Sequence, residues 1–195
     1  MATHESRPEL IIGLVAPVGV DLNQVQDILK FHLSQYQYST RIIQLSSLIK
    51  NISGLSIKLI AEPEDKRIDS YMTAGNEARL TTNRGDIITA LGIQSINVQR
   101  SNEAPISQTA HIFRSIKHPD EVQTLRNVYG DGFYLLGISS SKSCRLKYLK
   151  GKGISRKRAT KLIARDESEE MKFGQHTREA FHLADCFVNI DDTNF

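Results

Sequence analysis

Six residues in unbroken succession, Leu10-Ile11-Ile12-Gly13-Leu14-Val15, are apolar or glycine. Strict alternation of apolar and polar residues would mark a strand with one wet face, whereas a continuous run marks a strand buried on both faces. Such a strand needs a covering layer on each side of its sheet, which is the demand that α/β folds meet with crossover helices between parallel strands. The following residues agree. Ala16 to Asp21 is a turn of small residues and proline, and Leu22, Val25, Ile28, Leu29 and Leu33 then recur three or four apart, as on a helix with one apolar stripe. Arg41–Leu45 reads as a second strand, which completes a βαβ opening.

The rest of the chain extends this pattern. Residues 1–8 are polar and read as a disordered leader, so the folded domain is expected over 9–195. Ser46 to Asp65 shows no clear period and is ended by Pro63. Lys66 to Arg100 is helical in pattern and divides into two helices near Asn83-Arg84-Gly85-Asp86. Thr109–Arg114 is a third strand. His118-Pro119-Asp120-Glu121 opens a helix with proline at its start and acids in its first turn, and that helix stops at Gly130. Gly132–Ile138 is a fourth buried strand. Two short helices around Gly151 and Gly153, an acidic helix Asp166–Met171 and a helical stretch to Leu183 lead to a last strand, Cys186–Ile190. Five strands with intervening helices predict an α/β fold with a mostly parallel five-stranded sheet covered on both faces.

Several other classes are excluded. The longest apolar stretch, Leu10 to Val20, is interrupted by Gly13, Pro17 and Gly19 and falls short of the roughly 20 residues a spanning helix needs. It also lacks the flanks of a signal peptide. A soluble chain of the cytoplasm with no membrane partner is the expectation. Cys144 and Cys186 are the 2 cysteines and belong to no CxxC, so neither a disulfide framework nor a cysteine-based zinc site is encoded.

The turn after the first strand has the position of a phosphate-binding P-loop, GxxxxGK[ST], whose glycines expose backbone N–H groups, whose lysine meets the terminal phosphates and whose hydroxyl holds magnesium. With Ala16 set on the first glycine, the second falls on Asp21, the lysine on Leu22 and the hydroxyl residue on Asn23. Pro17 and Gly19 keep the turn tight, but its phosphate chemistry is gone. A charged hydrogen bond to phosphate is worth roughly 1.5–3 kcal/mol, and leucine forgoes it. Asp21 sets a carboxylate beside that position, or else serves as the N-cap of the first helix. Phosphoryl transfer by this loop is not expected.

Local patterns now line up in order: Glu9 through Leu22, Tyr71-Met-Thr-Ala-Gly-Asn-Glu-Ala-Arg79, Phe113 through Arg126, Tyr129-Gly-Asp-Gly-Phe133, Arg165-Asp-Glu and Gly174 through Asp185. Together they resemble the amino-terminal, P-loop-kinase-like domain of the anti-phage deoxycytidylate (dCMP/dCTP) deaminases, over nearly the whole chain. The resemblance implies a P-loop nucleotide-kinase-like three-layer α/β/α fold. It also implies a following zinc deaminase domain that destroys deoxycytidine nucleotides during phage infection. Zinc deaminases need an H-x-E and a P-C-x-x-C for metal and proton transfer. Neither motif occurs here, so this chain is expected not to deaminate by itself, and zinc is expected only in the deaminase domain absent from it. His176 with Glu179 and His182 with Asp185 have helical spacing, and a metal site there is not the expectation.

Charge is unevenly spread. Gly132 to Arg165 holds no acid and ten cations (Lys142, Arg145, Lys147, Lys150, Lys152, Arg156, Lys157, Arg158, Lys161 and Arg165), which leaves the remainder at −7. By the resemblance, this segment, about 142–165, corresponds to the lid that nucleotide kinases close over phosphates. Arg156, Arg158 and Arg165 are then the expected phosphate-side residues. Arg114, Lys117 and His118 follow the third strand, and Asn76 and Arg79 border an acceptor nucleotide. With Ala16, Pro17, Gly19 and Asp21 these form the candidate nucleotide-binding set, with no catalytic or metal-binding residue. The leading functional expectation is a non-catalytic sensor of a nucleotide, a deoxynucleotide first of all, that regulates an attached deaminase. Whether magnesium takes part stays open. Alternatives are an RNA-binding module, since some systems of this family are held in check by a small inhibitory RNA, a homo-oligomerisation module, or a divergent nucleotide kinase that uses Lys117.

Overall fold

The computed structural model describes residues 7–100, 104–168, 174 and 176–191. In chain order the elements are β1 (Leu10–Val15), α1 (Leu22–Gln35), β2 (Ser39–Gln44), a short α2 (Leu45–Leu48), α3 (Glu64–Thr82), α4 (Ile87–Asn97), β3 (Thr109–Ile116), α5 (Pro119–Tyr129), β4 (Phe133–Ser139), α6 (Lys142–Gly151), α7 (Arg156–Ser168), α8 (Thr177–His182) and β5 (Cys186–Asn189). The sheet has the order β2-β3-β1-β4-β5, and every pairing is parallel. With helices on both faces it is a three-layer α/β/α fold. No helix among the described residues is long and apolar enough to cross a membrane.

The continuous apolar run places β1 at the centre of the sheet, and its alternation divides two cores. Ile11 and Val15 pack with Ala74 of α3, Ile88 and Ile96 of α4, Val122 and Leu125 of α5 and Ala180 of α8. Ile12 and Leu14 pack on the opposite face with Leu22, Val25, Leu29 and Leu33 of α1. Gly13 is required by the tightness of the first core, because a Cβ there would stand 2.6 Å from Ile116 Cδ1 and 2.9 Å from Leu135 Cδ1. A third cluster joins Met72 of α3, Leu149 of α6 and Ala159, Leu162 and Ile163 of α7 to Ile154.

Three features differ from the sequence reading. β2 ends at Gln44, and Leu45 opens α2. The basic and acidic helices are one element, α7, which runs from Arg156 through Ser168; residues 169–171 of the expected acidic helix lie outside the described residues. The change of charge at Asp166 does not interrupt the helix, because Ala159, Leu162, Ile163 and Asp166 keep one buried stripe. Finally, most of the expected leader, residues 1–6, lies outside the described residues, while the Arg7 carbonyl accepts bonds from Gln108 N–H (3.1 Å) and the Ser107 hydroxyl (2.9 Å).

Parallel strands share one carboxyl edge. The turn 16–21 after β1, the Lys117–His118 connection after β3 and the Ser140–Ser141 connection after β4 all lie on it. The chain leaves β1 toward β2 on one side and leaves β4 toward β5 on the other, so the edge has the crevice where ligands of open α/β sheets bind.

Candidate functional site

The turn after β1 is built tightly. Val20 N–H returns to the Pro17 carbonyl at 3.3 Å, and Gly19 adopts φ +93° with its α-carbon pressed against α6. A Cβ on Gly19 would meet Arg145 Cβ at 2.8 Å and the Arg145 carbonyl at 3.0 Å. Asp21 caps α1, its Oδ1 accepting from Asn23 N–H (3.0 Å) and Gln24 N–H (3.4 Å).

A carboxylate from within the chain is seated against this turn. Val18 N–H donates to Asp166 Oδ2 at 2.7 Å. Lys117 Nζ donates to Asp166 Oδ1 at 3.0 Å and to the Ala16 carbonyl at 2.8 Å, and the Thr177 hydroxyl donates to Asp166 Oδ1 at 3.3 Å. The Asp166 side chain is 1% exposed. A backbone N–H and an ammonium are the donor kinds that hold phosphate in a P-loop, where the hydroxyl holds magnesium. Here the lysine and the hydroxyl come from the ends of β3 and α8 instead of from the loop, and a carboxylate of α7 takes their bonds. Asp166 is buried and Lys117 partly so, and removing the lysine would leave the carboxylate uncompensated at a cost of up to roughly 3–5 kcal/mol.

Beside this network, between the carboxyl ends of β1 and β3 and helices α2 and α3, lies a cavity of about 170 Å³. Leu45, Ile49, Met72 and Ile88 supply apolar walls, and Ser46, Arg67, Tyr71, Arg79, Ser115, Lys117 and Glu121 supply polar ones. Ser115 is the extra residue where the β1–β3 register slips, and it holds φ +71°. Bulges of this kind re-aim side chains next to sites, and the strain of a left-handed serine is concentrated where a surrounding structure enforces it. Arg67 makes two bonds to the Glu64 carboxylate, at 2.5 and 2.7 Å, and lies 5.7 Å from the Tyr71 ring centre.

Arg79 and Glu121 are both buried. Arg79 Nε donates to the Gly85 carbonyl at 3.1 Å, and its Nη2 approaches Glu121 Oε1 at 3.4 Å. Glu121 Oε2 accepts the backbone N–H groups of Lys117 (2.7 Å) and His118 (3.0 Å), so the pair is bonded directly to the loop that carries Lys117. Arg79 Nη1 is buried and has no hydrogen-bond partner among the described residues. Leaving a buried donor unmade costs about 1–3 kcal/mol, and more when it is charged.

The other expected site residues are dispersed. Arg114 faces α1, its Nη1 donating to Asn23 Oδ1 at 2.6 Å, and burial lowers its guanidinium pKa. His118 caps α5, its Nδ1 accepting from Asp120 N–H at 3.1 Å. Burial, reinforced by nearby Arg79, pushes its imidazole down to about 4. Asn76 is buried on α3. Arg158 pairs with Asp65 at 2.7 Å and Arg165 with Asp69 at 2.5 Å, which ties α7 to α3, while Arg156 is exposed. The edge therefore brings together Ala16, Pro17, Gly19, Lys117 and Arg79.

Asp166, Thr177, Glu121, Ser115 and Tyr71 join that set without having been singled out by sequence. The signal for two of them was present: Asp166 continues the buried stripe 159–162–163, and Glu121 the stripe 122–125, and an acid on a core-facing stripe needs a partner.

Among the described residues no group of three or more His, Cys, Asp or Glu side chains could hold a metal ion. His176 Nδ1 and Glu179 Oε1 are 3.1 Å apart, while Asp185 accepts from Leu135 N–H and Arg126.

No family model matches the chain, and no curated protein matches it. Solved structures do match. One is an uncharacterized protein from Eubacterium ventriosum, 11% identical with a TM-score of 0.46, the match covering 93% of this chain and 88% of that one.

Proposed function

We propose that this chain is a non-catalytic, nucleotide-sensing domain that regulates an attached deoxycytidine-nucleotide deaminase. The observation that carries the sensing part is the Asp166 carboxylate seated in the turn after β1, holding the Val18 N–H, Lys117 and Thr177. A phosphate group competes for the same donors, and its binding releases Asp166 and with it α7. That helix is tied to α3 through Arg158 and Arg165 and leads toward α8, so displacement at the turn is felt on two other elements. Catalysis is not part of the reading, because the ammonium of Lys117 at the turn is engaged by a carboxylate and the loop's own lysine position is Leu22. The deaminase partner is supported by the ordered sequence motifs, since a fold of this type hosts many functions.

Calorimetric titration of the common nucleotides into the wild type and Asp166→Asn tests this. Nucleotides should bind the wild type, and the variant should bind at least about tenfold tighter, a difference of roughly 1.4 kcal/mol, because the competing charge is gone. In the longer enzyme, Lys117→Ala should leave deamination insensitive to nucleotide. If neither protein binds any nucleotide, the reading fails.

A second reading, an RNA-binding module, is favoured by one observation. Lys142, Lys147, Lys150, Lys152, Arg156, Lys157 and Lys161 make no ion pair among the described residues, and they lie on the adjoining α6 and α7 or the connection between them.

A further inference from the structure

We propose that the cavity between β1, β3, α2 and α3 takes a single-ring base, a pyrimidine, which presents a carbonyl oxygen to Arg79 Nη1. This rests on the nucleotide-sensing reading for the phosphate end of the ligand and adds the base end.

Size is the first argument. The cavity measures about 170 Å³, close to the roughly 150 Å³ apolar cavity that accommodates benzene. A six-membered ring with its substituents fills that space, whereas a fused two-ring purine would extend out through its open side. Lining is the second. Leu45, Ile49, Met72 and Ile88 give the ring apolar contact, as the walls of small-molecule pockets do.

The third argument is the buried guanidinium. The Arg79 side chain is 3% exposed, lines the cavity, and keeps Nη1 without a hydrogen-bond partner among the described residues. Its charge is met by Glu121, so the cavity asks for a neutral acceptor and not for a second anion. The ring carbonyl common to the pyrimidine bases is such an acceptor. Gly75 stands beside the donor: a Cβ there would lie 3.5 Å from Arg79 Nη1 and 3.7 Å from Ile49 and Ile88 methyl carbons. Those are ordinary contacts, so alanine fits at position 75 while a longer side chain extends into the cavity. Finally, Lys117 borders both the cavity and the Asp166 network, so a base in the cavity places its attached phosphate toward the turn.

The test is calorimetry of the full chain with the 5′-monophosphates of deoxycytidine, thymidine, deoxyadenosine and deoxyguanosine, with inorganic phosphate as a further probe. Pyrimidine nucleotides should bind at least tenfold tighter than purine nucleotides. Gly75→Ala should bind as the wild type does, and Gly75→Leu should lose at least tenfold for pyrimidines while its affinity for inorganic phosphate is unchanged. Equal binding of purines and pyrimidines by the wild type overturns the proposal whether or not Gly75→Leu folds, and so does undiminished pyrimidine binding by that variant. Purine or phosphate binding without pyrimidine preference removes the base assignment alone. Absence of all nucleotide binding removes the sensing reading as well.

Discussion

His118 shows how one residue can be a structural part at the very position where sequence suggests a ligand. Its imidazole caps α5 through Asp120 N–H, stands 5.2 Å from the His176 ring, and faces Arg79, Asp120 and Glu179. Burial holds its pKa at about 4 against an ordinary 6.5. Between those values the unfolded chain carries a proton that the folded chain refuses. Stability is therefore full above about 6.5 and falls as pH drops toward 4, by at most roughly 3 kcal/mol from this group. His118→Asn retains a capping side chain. Urea unfolding at pH 7 should change by no more than about 1 kcal/mol, within the range of cap exchanges, whereas the loss between pH 6.5 and 4 should be shallower than in the wild type. Carboxylates with lowered pKa, such as Asp86 and Asp191, add the same acid loss to both proteins, so the difference isolates the imidazole. Parallel curves would show that His118 is not the titrating group. The Pro-Asp-Glu start of α5 was legible from sequence. The burial of its cap was not, because it depends on α3, α4 and α8 closing around the ring.

Among the elements, the α3–α4 junction falls at Asn83-Arg84-Gly85-Asp86, where the sequence pattern breaks, and the reason for its glycine emerges only in the fold. A Cβ on Gly85 would stand 2.3 Å from Asp120 Oδ2 and 2.4 Å from two atoms of the His118 ring. The Gly85 carbonyl also receives Arg79 Nε, so this turn locks the buried arginine and the α5 cap together. Gly85→Ala must displace the ring or the turn, at a cost of roughly 1–3 kcal/mol for an overpacked position. Chemical denaturation should show that loss, and the acid slope assigned to His118 should flatten as its ring is pushed outward. An unchanged midpoint would mean that the junction is looser than its packing indicates. Periodicity could locate α3 and α4, since it is a local property. It could not show that Arg79, on the buried stripe 72–75–76–79, meets Glu121 from another helix. The continuity of α7 is hidden for a related reason, because the change of charge sign at Asp166 masks the three-four spacing that carries it to the turn.

At the scale of the whole molecule, strand number and parallel direction follow from the run at β1 and the βαβ order, but nothing local encodes that β3 inserts between β2 and β1. That insertion brings Lys117 beside the turn. The fold also redistributes the basic segment. Arg145, Arg158 and Arg165 are neutralised by Glu167, Asp65 and Asp69, which leaves seven cations facing outward from α6, α7 and their connection. The two functional readings then separate by salt dependence. A nucleotide held at the turn and by Lys117 makes one or two phosphate contacts, and the logarithm of its affinity should fall with the logarithm of salt at a slope near −1. A single-stranded RNA that engages all seven cations should show a slope of about −5, at roughly −0.7 per phosphate contact. Replacing Lys142, Lys147, Lys150 and Lys157 together by Gln should bring the RNA slope down to about −2 by the same rule, while leaving nucleotide affinity at the turn within twofold. Those four side chains touch neither the Asp166 network nor the cavity lining, so a parallel loss of both affinities would mean that one surface serves both ligands. A shallow RNA slope that the quadruple replacement does not alter would remove the RNA reading and leave the carboxyl edge of the sheet as the place where this domain meets its anion.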